Sequence, residues 1–480
     1  MRKMFWSVMC ITLVLFSACG TGAAGAGAGS QRVVAISAAS EIALALMEDG
    51  SLWAWGAGRT GWGGSPVGGV GDGTAETRIL PVKIMEDVAF ALAGHTHSLA
   101  ITTDGTLWAW GANWWGQIGD GTTEHRLSPV PVMENVVYAA MPQRVPNTGA
   151  WEGQGRTYAI RSDGGLWAWG QGGWGENDFE VALGDGSLED RHSPALILEN
   201  VARVVPTRNG GLALSADGTL WHWHGHTSLW NRETGAWTEV QARLSPQSVM
   251  QNVASVSACG SFAITAAGGL WRLPEAGEPF HVMDNAAYAA HLGGANFAIT
   301  GDGTLWAWGR NLLPVQGQNA PPLGDGTTDN RDAPVRIMGD VASITVMGNT
   351  AYAITNDGGL WEWGYRASSE VFLEPQDEGQ LWEFAFDNGS LAGISLFLED
   401  ERSAGLGLSP VRVLENAVSV APTYFSLDHG WVNGFRTFAL TSCGEVWAWG
   451  ANDMLGRGLS LLGDGSSETR PLPVRIVFFE

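Results

Sequence analysis

A Trp-x-Trp pair recurs along the chain, beginning at Trp53, Trp108, Trp167, Trp221, Trp306, Trp361 and Trp447, with Trp271-Arg272-Leu273 as a degenerate eighth copy. Such periodic grammar constrains the fold strongly, because each unit must be one supersecondary element whose open faces are covered by its neighbours. Ahead of the pairs stand Asp49-Gly50, Asp104-Gly105, Asp163-Gly164, Asp217-Gly218, Asp302-Gly303 and Asp357-Gly358, with Ala267-Gly268 and Cys443-Gly444 as variants. Asp-Gly between apolar runs predicts a hairpin with a type I′ turn, whose two central residues both need φ > 0.

An apolar-Ala-apolar triplet precedes every turn, centred on Ala45, Ala100, Ala159, Ala213, Ala263, Ala298, Ala353 and Ala439. Strand side chains alternate between faces, so an Ala in all copies predicts a face too closely packed for anything larger. Each unit then ends in a strand such as Pro81 to Met85, followed by a polar pair: Glu86-Asp87, Glu134-Asn135, Glu199-Asn200, Gln251-Asn252, Asp284-Asn285, Gly339-Asp340 or Glu415-Asn416. Eight units of about 56 residues fill residues 33–477, longer than the roughly 40–45 of the WD type. Four strands per unit and no helical periodicity predict an all-β chain: a single β-propeller of four-stranded blades, seven or eight in number. The fifth unit, residues 253–283, is stripped to four short strands.

The apolar-Ala-Ile-Thr-x-Asp-Gly-x-Leu-Trp-x-Trp-Gly-x-Asn unit, clearest over residues 99–121, resembles the regulator of chromosome condensation repeat family. The resemblance implies a propeller, commonly of seven blades. It also implies two precedents: guanine-nucleotide exchange on a small GTPase, and a secreted bacterial member that inhibits β-lactamase with one face.

The first residues set the expected location. Arg2 and Lys3 precede an apolar run over residues 5–16 and then Ser17-Ala18-Cys19, the pattern of an export signal with a lipobox-like Cys19. Residues 1–19 are expected to be the signal, 20–32 a Gly/Ala linker, and 33–480 the propeller. The expected location is the cell membrane or surface through a lipid on Cys19, the alternative being free secretion. Cys259 and Cys443 stand at non-equivalent positions in different repeats, so no bridge between them is expected. With 49 acidic against 26 basic side chains the net charge is −23, which argues against nucleic acid and against adsorption to anionic lipid.

In a meander of strands A to D, the B–C and D–A connections emerge on one face and the A–B and C–D connections on the other. The first set is short throughout, while the second includes residues 141–156, 171–182, 226–243, 310–322, 365–408 and 424–436. Variable loops on a rigid scaffold are where binding is usually built. Fifteen of the 25 Trp belong to the periodic motif and are expected in the core. Nine lie in the variable loops, Trp62, Trp114, Trp115, Trp151, Trp174, Trp230, Trp237, Trp382 and Trp431. These are candidate partner-binding residues, because Trp contributes large rigid area to an interface; packing of loop on loop is the alternative.

Gly-Asp-Gly closes five C–D loops with an Arg six residues after the Asp: Asp72 with Arg78, Asp120 with Arg126, Asp185 with Arg191, Asp325 with Arg331 and Asp464 with Arg470. A forked Arg–carboxylate bond pinning each loop explains the fixed spacing; no unit supplies the further oxygens of a calcium site. His222, His224 and His226 alternate as a weak metal candidate, but no Cys, Asp or Glu nearby completes a set. Gly56, Gly58 and Gly61 match a dinucleotide fingerprint with no helix after it. No catalytic motif is present, so no enzyme and no cofactor is expected. The expectation is a monomeric binding scaffold gripping an unidentified protein or glycan. The alternatives are nucleotide exchange and a carbohydrate-active enzyme.

Overall fold

The computed structural model describes residues 32–39, 41–58, 69–142, 155–174, 180–231, 236–274, 277–311, 321–365, 406–426, 433–452 and 461–478. Eight four-stranded antiparallel sheets stand in a ring, so the propeller has eight blades. Blade 1 is Val33–Ala39, Ile42–Met47, Leu52–Gly56 and Arg78–Met85, strands A to D in order. Blades 2 to 8 follow as residues 88–133, 136–198, 201–250, 253–283, 286–338, 341–414 and 417–475. Each blade is a continuous stretch of chain, and strand A of blade 1 packs against strands A and B of blade 8 to complete the circle. Among the described residues no helix is long and apolar enough to cross a membrane.

The core is divided into eight clusters, one at every junction between blades. At the first junction Leu44, Leu46 and Ala54 of blade 1 meet Ala91, Ala93, Ala100 and Trp110 of blade 2. The eight invariant alanines are fully buried. Each lies directly across from the first Trp of its own blade, as Ala45 does from Trp53, while Leu44 faces Ala54. Large opposite small on both faces is what lets adjacent sheets interdigitate at native packing density.

The two Trp of each pair do not share one environment. Trp55, Trp110, Trp169, Trp223, Trp363 and Trp449 are wholly enclosed, whereas Trp108, Trp167, Trp221, Trp306 and Trp361 are only part-buried. The expectation of core packing therefore holds for the second Trp, which the preceding blade covers, and only partly for the first.

The Asp-Gly connections are not type I′ turns. Gly50 N–H donates to Met47 O at 3.1 Å and Met47 N–H to Ser51 O at 2.9 Å. Gly50 has φ +84°, while Asp49 is absent from the positive-φ residues. The hairpin is a type I turn closed by a glycine bulge, which needs one left-handed residue rather than two. The Asp is retained for its side chain: Asp49 Oδ1 accepts the N–H of Ser51 at 2.8 Å, and Asp104 Oδ1 that of Thr106 at 3.0 Å.

Left-handed backbone appears instead in the D–A turns. Asp87, Asn135, Asn200, Asn252, Asn285, Asp340 and Asn416 all have φ between 57° and 61°. Asn and Asp tolerate that region best among residues with a side chain. The conformation turns each of these carbonyls toward the next blade, where it accepts a backbone N–H, as Asn135 O does from Ser162 at 2.8 Å. Replacing Asn135 by Ala is therefore expected to cost about 1 kcal/mol, and replacing it by Gly close to nothing. Equilibrium denaturation of both variants checks this; equal destabilisation by the two would contradict it.

Candidate binding face

The short-turn face is uniform. At every junction the first residue of strand A donates to the turn glycine of the preceding blade: Val88 to Gly50 O at 2.9 Å, Val136 to Gly105 O at 2.8 Å, and so on to Ala417 and Gly358 O at 2.8 Å. A second bond runs back from beyond strand B, as from Thr103 N–H to Asp87 O at 2.7 Å. The eighth junction repeats the pair, with Val33 N–H on Gly444 O at 3.2 Å and Glu48 N–H on Arg32 O at 2.8 Å. Arg32 thus stands where a D–A turn stands elsewhere.

The opposite face carries the A–B and C–D connections together. Ala57 N–H donates to Glu41 O at 3.0 Å and Ala112 N–H to Thr96 O at 2.9 Å, joining the two connections within a blade. Five C–D loops close on the next blade through the Gly-Asp-Gly sequence. The Asp–Arg separations are 2.5 Å for Asp72 with Arg78 and for Asp120 with Arg126, 2.6 Å for Asp185 with Arg191, and 2.7 Å for Asp325 with Arg331 and for Asp464 with Arg470.

The pairs form as expected, but the fork does not close on two carboxylate oxygens. Arg191 Nε donates to Asp185 Oδ2 at 2.6 Å while its Nη2 donates to Ser187 Oγ at 3.4 Å. Arg331 does the same, with Nε on Asp325 Oδ2 at 2.7 Å and Nη2 on Thr327 Oγ1 at 3.0 Å. The reason is that the other oxygen is taken: Asp185 Oδ1 accepts the Ser187 N–H at 3.0 Å, and Asp325 Oδ1 accepts the Thr327 N–H at 3.0 Å. Arg191 and Arg331 also differ from the other three arginines. Arg78, Arg126 and Arg470 each reach a second carboxylate, on Glu76, Glu124 and Glu468, whereas Arg191 and Arg331 have their Asp as the one acidic partner among the described residues. Neither is a buried ion pair in full, since the Arg191 side chain is 38% exposed and that of Arg331 31%, against 7% and 9% for their carboxylates.

Burial works to raise the Asp120 carboxyl, but bonds from Thr122 and Arg126 outweigh it and hold the group below the ordinary carboxylate range. The second glycine of the motif donates to strand D of the next blade, as Gly121 does to His192 O at 2.9 Å. The first glycine lies against the enclosed Trp of the next blade. A Cβ on Gly463 would stand 2.6 Å from Trp55 Nε1, and one on Gly119 would be closer still to Trp169. Loop and Trp are lost together at one junction: blade 4 has no Gly-Asp-Gly, and blade 5, which it would cover, has Leu273 in place of the second Trp.

Among the described residues this face departs from uniformity around blades 3 and 4. There the C–D connections form two extra hairpins, Gly173–Trp174 with Glu180–Val181 and Thr227–Asn231 with Ala236–Val240. Trp230 and Trp237 are register partners in the second, and Trp174 pairs with Glu180 in the first. The hairpins adjoin, since Glu180 N–H donates to His226 O at 3.1 Å and His226 N–H to Glu180 Oε2 at 3.0 Å. Beside them Trp114 and Trp115 meet edge to face at 5.8 Å, with His125 5.0 Å from Trp114. Trp115 also lies over Gly155 of blade 3. Trp62, Trp151, Trp382, Trp431 and Cys19 lie outside the described residues.

The imidazoles of His222 and His224 are 5.0 Å apart. Burial, with the charges of His224 and Arg243, pushes His222 down to about 3, and His224 Nδ1 lies 2.9 Å from Gly225 O. Among the described residues no three His, Cys, Asp or Glu side chains group to hold a metal, these three histidines included. Cys259 is a free, exposed thiol, so it makes no bridge to Cys443.

Sequence reading passed over several groups that organise this face. Asn113, Asn311 and Asn452, three residues after each second Trp, brace their loops: Asn113 Nδ2 donates to Thr122 O and Glu124 O at 3.0 Å, and its Oδ1 accepts Ile118 N–H at 2.9 Å. Their constant place in the repeat was the available signal. Arg156 is fully buried and donates to Thr207 O, Arg208 O and Gly210 O at 2.7, 2.8 and 2.9 Å, fixing blade 4's A–B connection.

Comparison with known proteins agrees with this architecture. Residues 104–141 and 88–113 match two models of the regulator of chromosome condensation (RCC1) repeat. The match covers residues 88–141, within a chain that folds throughout as an eight-bladed β-propeller. Prp20p from Saccharomyces cerevisiae superposes with a TM-score of 0.50 at 16% identity, covering 93% of this chain and 88% of that one. The yeast protein bound to Kap60 gives 0.50 and 16%, covering 97% and 91%. At that identity the likeness is one of fold. The mitochondrial RCC1 domain-containing protein RUG3 of Arabidopsis thaliana is 28% identical over 208 residues, 36% of this chain. The chain spans 44% of that curated relative.

Because the Asp carboxyls of the five pairs are lowered in the folded state, their contribution is present above the unfolded value of about 3.9 and lost as pH falls through the folded one. Asp120→Asn is expected to cost about 1.5 kcal/mol at neutral pH and to flatten the loss of stability below about pH 4. Thermal unfolding from pH 2 to 7 reads both; an unchanged acid limb would refute the assignment.

Proposed function

We propose that the protein is a non-enzymatic binding scaffold, exported and held at the cell surface by a lipid on Cys19, that grips a partner through the A–B/C–D face. One observation carries the reading: the short-turn face repeats a single hydrogen-bond pattern eight times, while among the described residues the additional hairpins, with Trp174, Trp230 and Trp237, belong to the other. A rigid ring with one diversified surface is the arrangement expected of a recognition module. The partner is a protein, with a glycan as the alternative class, since Trp serves as an anchor for both. The net charge of −23 disfavours nucleic acid. Prp20p is described as binding Gsp1p and histones; the identity to it supports no transfer of those partners.

Capture from intact native cells, comparing the wild type with Trp174→Ala and with Trp230→Ala/Trp237→Ala, tests the surface. Loss of at least tenfold in recovered partner is expected for the hairpin variants, and none for Glu199→Lys on the short-turn face. The reverse pattern would remove the proposal, and a glycan array distinguishes the two partner classes. Fatty-acid labelling abolished by Cys19→Ala is the expected sign of the anchor.

A further inference from the structure

At the hub of the ring the inner strands of blades 1 to 4, with Leu44, Leu46 and Ala258, line a partly open cavity of about 200 Å³. Ile36, Phe90, Leu92, Tyr138 and Met141 make its wall apolar, and Arg203 is its one charged lining residue. The placement of Arg203 follows from the fold. Every inner strand shifts register after its first residue, so the third residues, Ala35, Phe90, Tyr138 and Arg203, take equivalent positions around the axis.

Arg203 differs from the other deeply placed arginines. The guanidinium of Arg156 is satisfied by three carbonyls, and Arg436 Nη1 donates to Leu461 O at 3.1 Å. Arg203 Nε and Nη1 are shielded from solvent and have no hydrogen-bond partner among the described residues, and Arg203 forms no ion pair there. Leaving buried donors of a charged group unmade is costly, and an anion supplied from outside removes that cost. The chain itself is strongly acidic, yet no carboxylate lines the cavity.

We propose that this cavity is a binding site for a small monocarboxylate with an apolar body, its carboxylate on Arg203 and its body against Phe90, Tyr138 and Met141. A planar carboxylate matches a guanidinium in shape and charge. The volume somewhat exceeds that of the roughly 150 Å³ apolar cavity known to take benzene, leaving room for a ring plus a carboxylate.

Phenylacetate is the probe, with 2-phenylethanol as its neutral counterpart and inorganic sulfate as an anion lacking the apolar body. Titration calorimetry and thermal shift of the full exported chain are expected to show saturable phenylacetate binding, at least tenfold tighter than either control. Arg203→Met is expected to abolish that preference without lowering the melting temperature of the unliganded protein, since it removes an unpaired charge. Ala35→Phe fills the cavity from the facing strand and is expected to abolish binding with Arg203 intact. No saturable binding to the wild type, equal affinity for the alcohol, or undiminished binding by Ala35→Phe would each overturn the site.

Discussion

One backbone hydrogen bond, from the first residue of each inner strand to the turn glycine of the blade before, recurs at all eight junctions. It is the constraint from which the rest follows. The bond fixes how far each sheet is rotated from its predecessor, and so whether eight sheets return to the starting point. Its geometry requires a left-handed glycine in one turn and a left-handed Asn or Asp in the next. Those two requirements account for the most regular polar positions in the chain. The apolar clusters supply bulk stabilisation, but apolar contact is non-directional; the backbone bonds give the ring its angle.

A second set of ties operates on the other side, and it is incomplete. Where a Gly-Asp-Gly loop is present, its glycine lies over an enclosed indole and its carboxylate is pinned by an arginine. Blades 4 and 5 have lost loop and indole together. Trp308, next to the stripped fifth blade, is the most exposed of the second Trp at 9%. The propeller is thus evenly bonded below and unevenly bonded above, where blades 4, 5 and 7 lack the Gly-Asp-Gly sequence.

Much of this was legible from the repeat. Strand order, the sidedness of the long connections, the buried alanines and the pairing of five Asp with five Arg can all be read from spacing, because each arises within one unit. The shape of those pairs could not. At Arg191 and Arg331 the hydroxyl two residues after the Asp takes one prong of the guanidinium, a division of labour that only the hydrogen bonds reveal. The number of blades was open until closure could be seen. The turn type was misjudged because Asp-Gly favours two hairpin geometries, and the extra residue that selects the bulged one is visible only in the backbone bonds. Contacts between units were harder still: nothing local to Gly119 announces that it must accommodate Trp169, fifty residues on. Arg203 went unnoticed for the opposite reason. It breaks the pattern at one position only, and periodic reading discards what does not recur.

The eighth junction carries an implication of its own. Since the carbonyl of Arg32 occupies the place of a D–A turn, the polypeptide enters the toroid on the uniform side. The hairpins of blades 3 and 4 are carried on the opposite side, at the far end of the ring from Arg32. The separation of Arg32 from the diversified face is in this way built into ring closure itself.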